Sequence, residues 1–273
     1  MASPRTDKDT QTFSEHLDTL RKMLTRVVVV VFLLSVITFV SKDLLFDLIL
    51  APCSPDFVTF ESVNKVLLWF GIDNQLYGDD IDLITTGLSS QFMAHMSLAL
   101  YMGLLIASPY IVYELFGYIS PALHEKEKSY SIRLGVAVYI LFVLGLLLSY
   151  FILFPIACRF LASYRVSQRV TAMISLDSYI STFVSLTLMM GVVFQLPVIA
   201  FLMAKMGIIN KQVMKQYRKH VFVVILLLAA VITPPDAMTL IMVSAPLYLL
   251  YELSIVVVKV SSSTSKKKVA ICL

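Results

Sequence analysis

The chain has 273 residues, 58% of them hydrophobic and only 15% charged, with a mean hydropathy of +0.84. These values exclude an ordinary soluble domain and point to a polytopic helical membrane protein. The apolar stretches are continuous rather than short and alternating, so a membrane β-barrel is not expected. The net charge of +4 decides little by itself; its distribution carries the information.

Phe13, Leu17, Leu20 and Leu24 recur at helical spacing and predict an amphipathic helix lying on the membrane and running into a first span. That span starts at Val27, after Arg21, Lys22 and Arg26, and is free of charge to Ser41. Lys42 and Leu44–Leu50 are expected to extend it, with the lysine head reaching the interface. No cleavable signal peptide is expected, because the apolar block follows a polar stretch with acids as well as bases and no small-residue cleavage site.

Residues 43–90 hold eight acids against one lysine, Lys65, and the patch Val66–Phe70 suggests a small surface helix. A second span is predicted from about Phe92 to Tyr113, with a kink at Pro109. A loop at 114–131 precedes a third span from about Leu134 to Ile156. The outer loop 157–178 carries Arg159, Arg165 and Arg169, and a fourth span runs from about Tyr179 to Ala204 with Gln195 and Pro197 inside it.

The loop 205–219 is strongly basic. From Val221 to Tyr251 the only charge is Asp236, in Thr233-Pro234-Pro235-Asp236. Adjacent prolines remove backbone donors and disfavour helix before them, so a tight hairpin is expected there. It leaves a fifth span of about a dozen apolar residues, short for a standard bilayer, and a sixth of roughly twenty. The Ser/Thr-rich tail with Lys259 and Lys266–Lys268 reads as disordered and solvated.

The fold class expected is therefore all-α, with six transmembrane helices and a short fifth. The N-terminus, the loops 114–133 and 205–219 and the tail hold 17 of the 22 Lys and Arg. The positive-inside rule then puts both termini in the cytoplasm. Three segments follow: 1–26 as a cytoplasmic N-terminal region with the amphipathic helix, 27–258 as the membrane domain, and 259–273 as a basic tail. Cys53 and Cys158 fall on the same extracytoplasmic side and are read as separate thiols rather than a pair. Cys272 does not fit a prenylation signal.

No catalytic signature, phosphate loop or metal-ligand cluster is visible, and the histidines His16, His95, His124 and His220 are scattered. Neither an enzyme nor a cofactor is expected. Gln195 and Asp236 are the polar groups at membrane depth, where each is costly unless satisfied. Gln195 reads as interhelical hydrogen-bond glue or as part of a groove, and Asp236 as a cap of the sixth helix or as part of a pathway. Glu125 and Glu127 lie in a loop where Lys and Arg are expected to prevail. The helix dipole explains part of that charge. Pro121 with Ile119, Ala122 and Leu123 packs the turn at the interface, where a partly desolvated carboxylate takes an Arg guanidinium bidentately. A secondary carrier using Gln195 and Asp236 is the alternative reading.

Glu15-His16-Leu17-Asp18-Thr19-Leu20-Arg21-Lys22, Tyr118-Ile-Ser-Pro-Ala-Leu-His-Glu-Lys-Glu127, Phe194-Gln-Leu-Pro197, Thr233-Pro-Pro-Asp236 and Pro246-Leu-Tyr-Leu-Leu-Tyr-Glu252 occur in that order on the predicted spans. In them the chain resembles the TatC family, the receptor of the twin-arginine protein translocase, from about Phe13 to Lys259. The resemblance implies a six-helix, cup-shaped scaffold in a bacterial-type inner membrane. It implies recognition of folded precursors through an Arg-Arg pair in their signal peptides, driven by the proton-motive force. TatA- and TatB-like single-span proteins are the implied partners, in an oligomeric complex in the lipid bilayer and without nucleic acid. The principal recognition glutamate falls on Glu127 and the loop aromatic on Tyr118, with Glu125 modifying the local potential and Arg21 orienting the N-terminal helix. Three departures stand out. The loop aromatic, commonly Phe in the family, is Tyr118, which is expected to keep the packing. Thr19 occupies the place of a second recognition acid, for which Glu15, one helical turn away, is the expected stand-in. Gln195 stands where the family carries an intramembrane Glu.

Overall fold

A computed structural model describes residues 13–55, 57–69, 83–119, 128–164, 167, 173–206, 208–233 and 236–271. The helices follow in chain order: α1 (Phe13–Val40), α2 (Lys42–Leu50), α3 (Val58–Trp69), α4 (Ser90–Ile119), α5 (Lys128–Leu148), α6 (Phe154–Ser163), α7 (Leu176–Val193), α8 (Leu196–Lys205), α9 (Lys211–Gln216), α10 (Arg218–Ile232) and α11 (Ala237–Ile271). Two dipeptide strands, β1 (Leu83–Ile84) and β2 (Ile174–Ser175), pair in parallel. They join the segment before α4 to the one before α7, a contact absent from the all-helical expectation.

Among the described residues five segments are long and apolar enough to cross a bilayer: Leu17–Val40, Ser90–Leu115, Leu134–Ser163, Leu176–Lys205 and Ala237–Val258. Their surfaces carry exposed large apolar side chains such as Phe32, Ile37, Val40, Leu144 and Val192. A surface of that kind is unfavourable in water and suits lipid. The expected fifth span is α10, whose 15 residues reach roughly 22 Å at 1.5 Å per residue, well short of the ~30 Å hydrocarbon core.

Several boundaries differ from the sequence expectation, each for a local reason. The first span does not continue into α2. The helix is interrupted at Ser41, whose N–H still closes the last turn on the Ile37 carbonyl at 3.3 Å, joined there by its hydroxyl at 3.2 Å. The third span runs on to Ser163 through a widened turn at Ser149–Leu153, just before Pro155, which has no N–H to give. The fourth breaks at Phe194–Gln195, where Gln195 N–H reaches only three residues back to Val192, ahead of Pro197. Pro109 is accommodated inside α4. The tail is a correction to the disordered reading: α11 continues to Ile271, since no Gly or Pro after Pro246 stops it.

The chain divides into two compact units, 1–42 with 99–139, and 43–98 with 140–273. In the first, α1 and α4 cross at backbone contact. A Cβ on Gly103 would stand 2.7 Å from the Ser35 nitrogen and 2.8 Å from its Cα, and the Thr38 hydroxyl donates to the Ala99 carbonyl at 2.9 Å.

In the second unit, Gly145 plays the same part against α7, where a Cβ would lie 2.7 Å from the Met190 carbonyl oxygen. The end of α2 is fastened by hydroxyls: Tyr150 donates to the Leu48 carbonyl at 2.7 Å and Tyr179 to the Ile49 carbonyl at 2.6 Å. These are carbonyls that a helix end leaves without intrahelical donors. Thr59 donates to the Phe151 carbonyl, and Phe154 packs edge-on against Tyr179 and Phe183. At the other end of this unit Ala200, Met214, Ile255 and Val258 form a buried cluster, closed by the Tyr251 hydroxyl on the Met214 carbonyl at 2.7 Å.

Candidate functional site

The first unit contains a groove of about 320 Å³ between α1 and the end of α4, bordered by Thr19, Lys22, Arg26, Glu114, Gly117 and Tyr118 among others. The Ser35–Gly103 crossing holds the two helices close, and beyond it the long side chains of Arg26 and Glu114 meet. Arg26 Nη1 lies 3.5 Å from Glu114 Oε1. The Tyr110 hydroxyl, one turn back on α4, donates to the same oxygen at 2.7 Å. Glu114 is largely enclosed, with 14% of its side chain exposed, whereas Arg26 is 63% exposed. A larger cavity of about 630 Å³ adjoins along α1, sharing Lys22 and Arg26 and including Asp18, Arg21 and Tyr110.

The sequence-derived candidates distribute unevenly over this site. Tyr118 is half-buried and borders the groove, with Thr19 opposite on α1. Arg21 is exposed and borders the adjoining cavity, its carbonyl accepting from the Thr25 hydroxyl at 2.8 Å. Glu15 lies in the first turn of α1, and its side chain is outside the described residues. Glu125 and Glu127 are also outside the described residues.

Gln195 and Asp236 belong to the second unit. Gln195 Nε2 donates to the Gly191 carbonyl at 3.3 Å, a bond within its own segment rather than between helices. Asp236 caps α11: its Oδ1 accepts the Thr239 N–H at 2.7 Å and its Oδ2 accepts the Thr239 hydroxyl. A further intramembrane acid, Glu252 on α11, takes Arg218 at 2.5 Å and the Tyr248 hydroxyl at 3.3 Å.

Glu114 is the group that sequence reading passes over. Its one local signal is Tyr110 four residues earlier, on the same helical face. The Arg26 contact spans 88 residues of sequence and leaves no pattern. Among the described residues no group of three or more His, Cys, Asp or Glu could hold a metal ion.

These features define a multi-pass α-helical membrane protein with a charged groove where its N-terminal helix meets the end of α4. The chain belongs to the TatC family: residues 15–246 match the family model described as Sec-independent protein translocase protein (TatC). It is 32% identical to the Sec-independent protein translocase protein TatC of Blattabacterium sp. subsp. Periplaneta americana (strain BPLAN), over 97% of this chain and all of that one. It is also 32% identical to the protein of the same name from Deinococcus radiodurans, over 90% of this chain and 85% of the relative. A solved structure described as the crystal structure of twin arginine translocase receptor TatC aligns with a TM-score of 0.71 at 30% identity, covering 91% of this chain and 100% of that one.

Proposed function

We propose that this chain is the signal-peptide receptor and core subunit of a twin-arginine translocase, exporting folded precursors at the expense of the proton-motive force. The observation that carries this reading is the groove itself, in which Thr19 of the N-terminal motif and Tyr118 of the loop motif border one charged cavity. Two stretches a hundred residues apart in sequence thus serve one binding surface. Glu127 is the principal partner of the signal peptide's arginines, with Tyr118 as the loop aromatic and Glu125 and Glu15 adding to the negative potential. A partly enclosed carboxylate suits a guanidinium because it offers two acceptors to the planar fork.

The charge distribution supports a topology with both termini in the cytoplasm and α10 as a sixth, short span. A bacterial-type inner membrane is the matching location, and TatA- and TatB-like single-span proteins are the partners. Replacing Glu127 by Gln and by Ala, with export of a twin-arginine reporter and signal-peptide crosslinking as readouts, tests the assignment. Both variants are expected to lose crosslinking and export. Wild-type behaviour in both would overturn it.

A further inference from the structure

Resting on that receptor reading, we propose that Glu114 supplies the acid that Thr19 lacks, and that Arg26 occupies this acid until a signal-peptide guanidinium displaces it. Thr19 and Glu114 border the same groove, so a carboxylate lost from one wall is present on the other. Both contacts to Glu114, from Tyr110 and from Arg26, fall on Oε1. Among the described residues none falls on Oε2, and a second donor has a place on the same carboxylate. The Tyr110 bond fixes the carboxylate whether or not Arg26 is in position.

Arg26 itself is a weak occupant. Among the described residues its contact is single and 3.5 Å long, and most of its side chain is exposed. An exposed pair of that geometry contributes little and pays the entropy of holding a long side chain. An incoming guanidinium able to use both oxygens is the better ligand. With Lys22 and Arg26 against the one acid Glu114, the lining is net basic, so a cationic ligand is held there by directed hydrogen bonds to the carboxylate rather than by overall charge.

Binding of a labelled twin-arginine signal peptide to the purified full-length chain in detergent tests this. Glu114→Gln, which retains the Tyr110 bond, is expected to weaken binding about tenfold, the scale of one charge-assisted hydrogen bond. Arg26→Gln is expected to strengthen it several-fold by removing the competitor, roughly the scale of an exposed ion pair. Thr19→Glu is expected to restore binding to the Glu114→Gln chain, which a purely structural role for Glu114 would not allow. Normal binding by Glu114→Gln while Glu127→Gln fails overturns this inference and leaves the receptor reading standing. Normal binding by both overturns the receptor reading. Loss in Glu114→Gln without rescue by Thr19→Glu also overturns the inference.

The outer end of the second unit carries a different feature. Cys53 closes the short turn after α2 and Cys158 lies on α6, 105 residues later; their sulfurs are 3.3 Å apart, and each residue is 8% exposed. Arg159 lies beside them with its guanidinium over the Phe60 ring at 4.4 Å, and among the described residues none of its three nitrogens has a hydrogen-bond partner. Both cysteines are free thiols in this structure, as the sequence led us to expect; from their approach we infer that Cys53 and Cys158 can be oxidised to a disulfide. The Cys158 thiol hydrogen bond holds Cys53 below the ordinary thiol range. Burial opposes this, while the Tyr179 hydroxyl and the Arg159 charge support it.

The oxidant is a protein dithiol–disulfide carrier of the extracytoplasmic compartment. The thiolate of one cysteine attacks one carrier sulfur and expels the other as a thiolate. The second cysteine, giving up its proton, then attacks the first in the mixed disulfide and releases the reduced carrier. Two thiols thus lose two protons and two electrons, and the carrier gains them. This takes place while the outer loops are assembling, before burial closes off both sulfurs.

Acid-trapped chain, denatured in detergent and labelled with a maleimide of high mass, reports the state directly. One adduct, on Cys272, is expected before reduction and three after it. Cys53→Ser is expected to yield two adducts without reduction. Three adducts on the unreduced wild-type chain would overturn the disulfide.

Discussion

Gly103 and Ser35 bring α4 and α1 so close that a single methyl group on Gly103 would fall 2.7 Å from a backbone nitrogen. Backbone cannot rotate away as the tip of a side chain can, so the two helices would have to separate. Gly103→Ala is expected to destabilise the chain by about 1–3 kcal/mol, the range for overpacking a well-packed contact. Thermal unfolding in detergent measures it. Because the Arg26–Glu114 contact lies along the same helix pair, the variant is also expected to weaken signal-peptide binding.

Arg218 and Glu252 form the tightest ion pair among the described residues, 2.5 Å between an α10 nitrogen and an α11 oxygen, with side-chain exposures of 41% and 32%. Arg218→Met leaves the carboxylate with only the Tyr248 hydroxyl. It is expected to cost about 1–2 kcal/mol, less than for a fully buried pair because water still reaches both groups. Glu252→Gln combined with Arg218→Met is expected to recover part of that loss, and a double-mutant cycle on unfolding temperature checks it.

Asp236 accepts from both the N–H and the hydroxyl of Thr239. Asp236→Asn keeps an acceptor and is expected to be nearly neutral, whereas Asp236→Ala is expected to cost about 1 kcal/mol, the usual value for a lost cap. Equal losses for both variants would mean that the charge matters beyond the cap. Unfolding temperature in detergent separates the two cases.

Glu61 is held below the ordinary carboxylate range by the hydrogen bond and charge of Lys65, 2.6 Å away on the next turn of α3. A lowered folded-state pKa means that the stabilisation is present above the ordinary Glu value and is lost as pH falls through the lowered one. Lys65→Met is expected to return the Glu61 titration, followed by NMR at low salt, toward its ordinary value.

The break at Thr233-Pro-Pro-Asp236 was legible because proline chemistry acts through the local chain, and so was the cap that Asp236 makes. The break at Ser41 was not. The Ser41 hydroxyl does not announce it, since Thr25 and Ser35 make the same bond one turn back inside the same helix without ending it. Tyr118 and Thr19 were singled out through a resemblance carried by ordered motifs, Thr19 as the place of a missing acid, and both border the groove. Glu114 was not, because its significance depends on Arg26, which only the crossing of two helices brings near. The approach of the two thiols was hidden for the same reason: 105 residues of separation lie between sulfurs that stand 3.3 Å apart as free cysteines.

The fastening of α2 has a mechanical consequence. Tyr150 and Tyr179 grip consecutive carbonyls at its end, and the two cysteines meet one turn further on. A pull on the outer loop is therefore delivered to α6 and α7 along several bonds loaded in parallel. The loop behaves as a bracket that transmits force rather than as a spring that absorbs it, so any strain a passing cargo applies there is felt in the spanning helices at once.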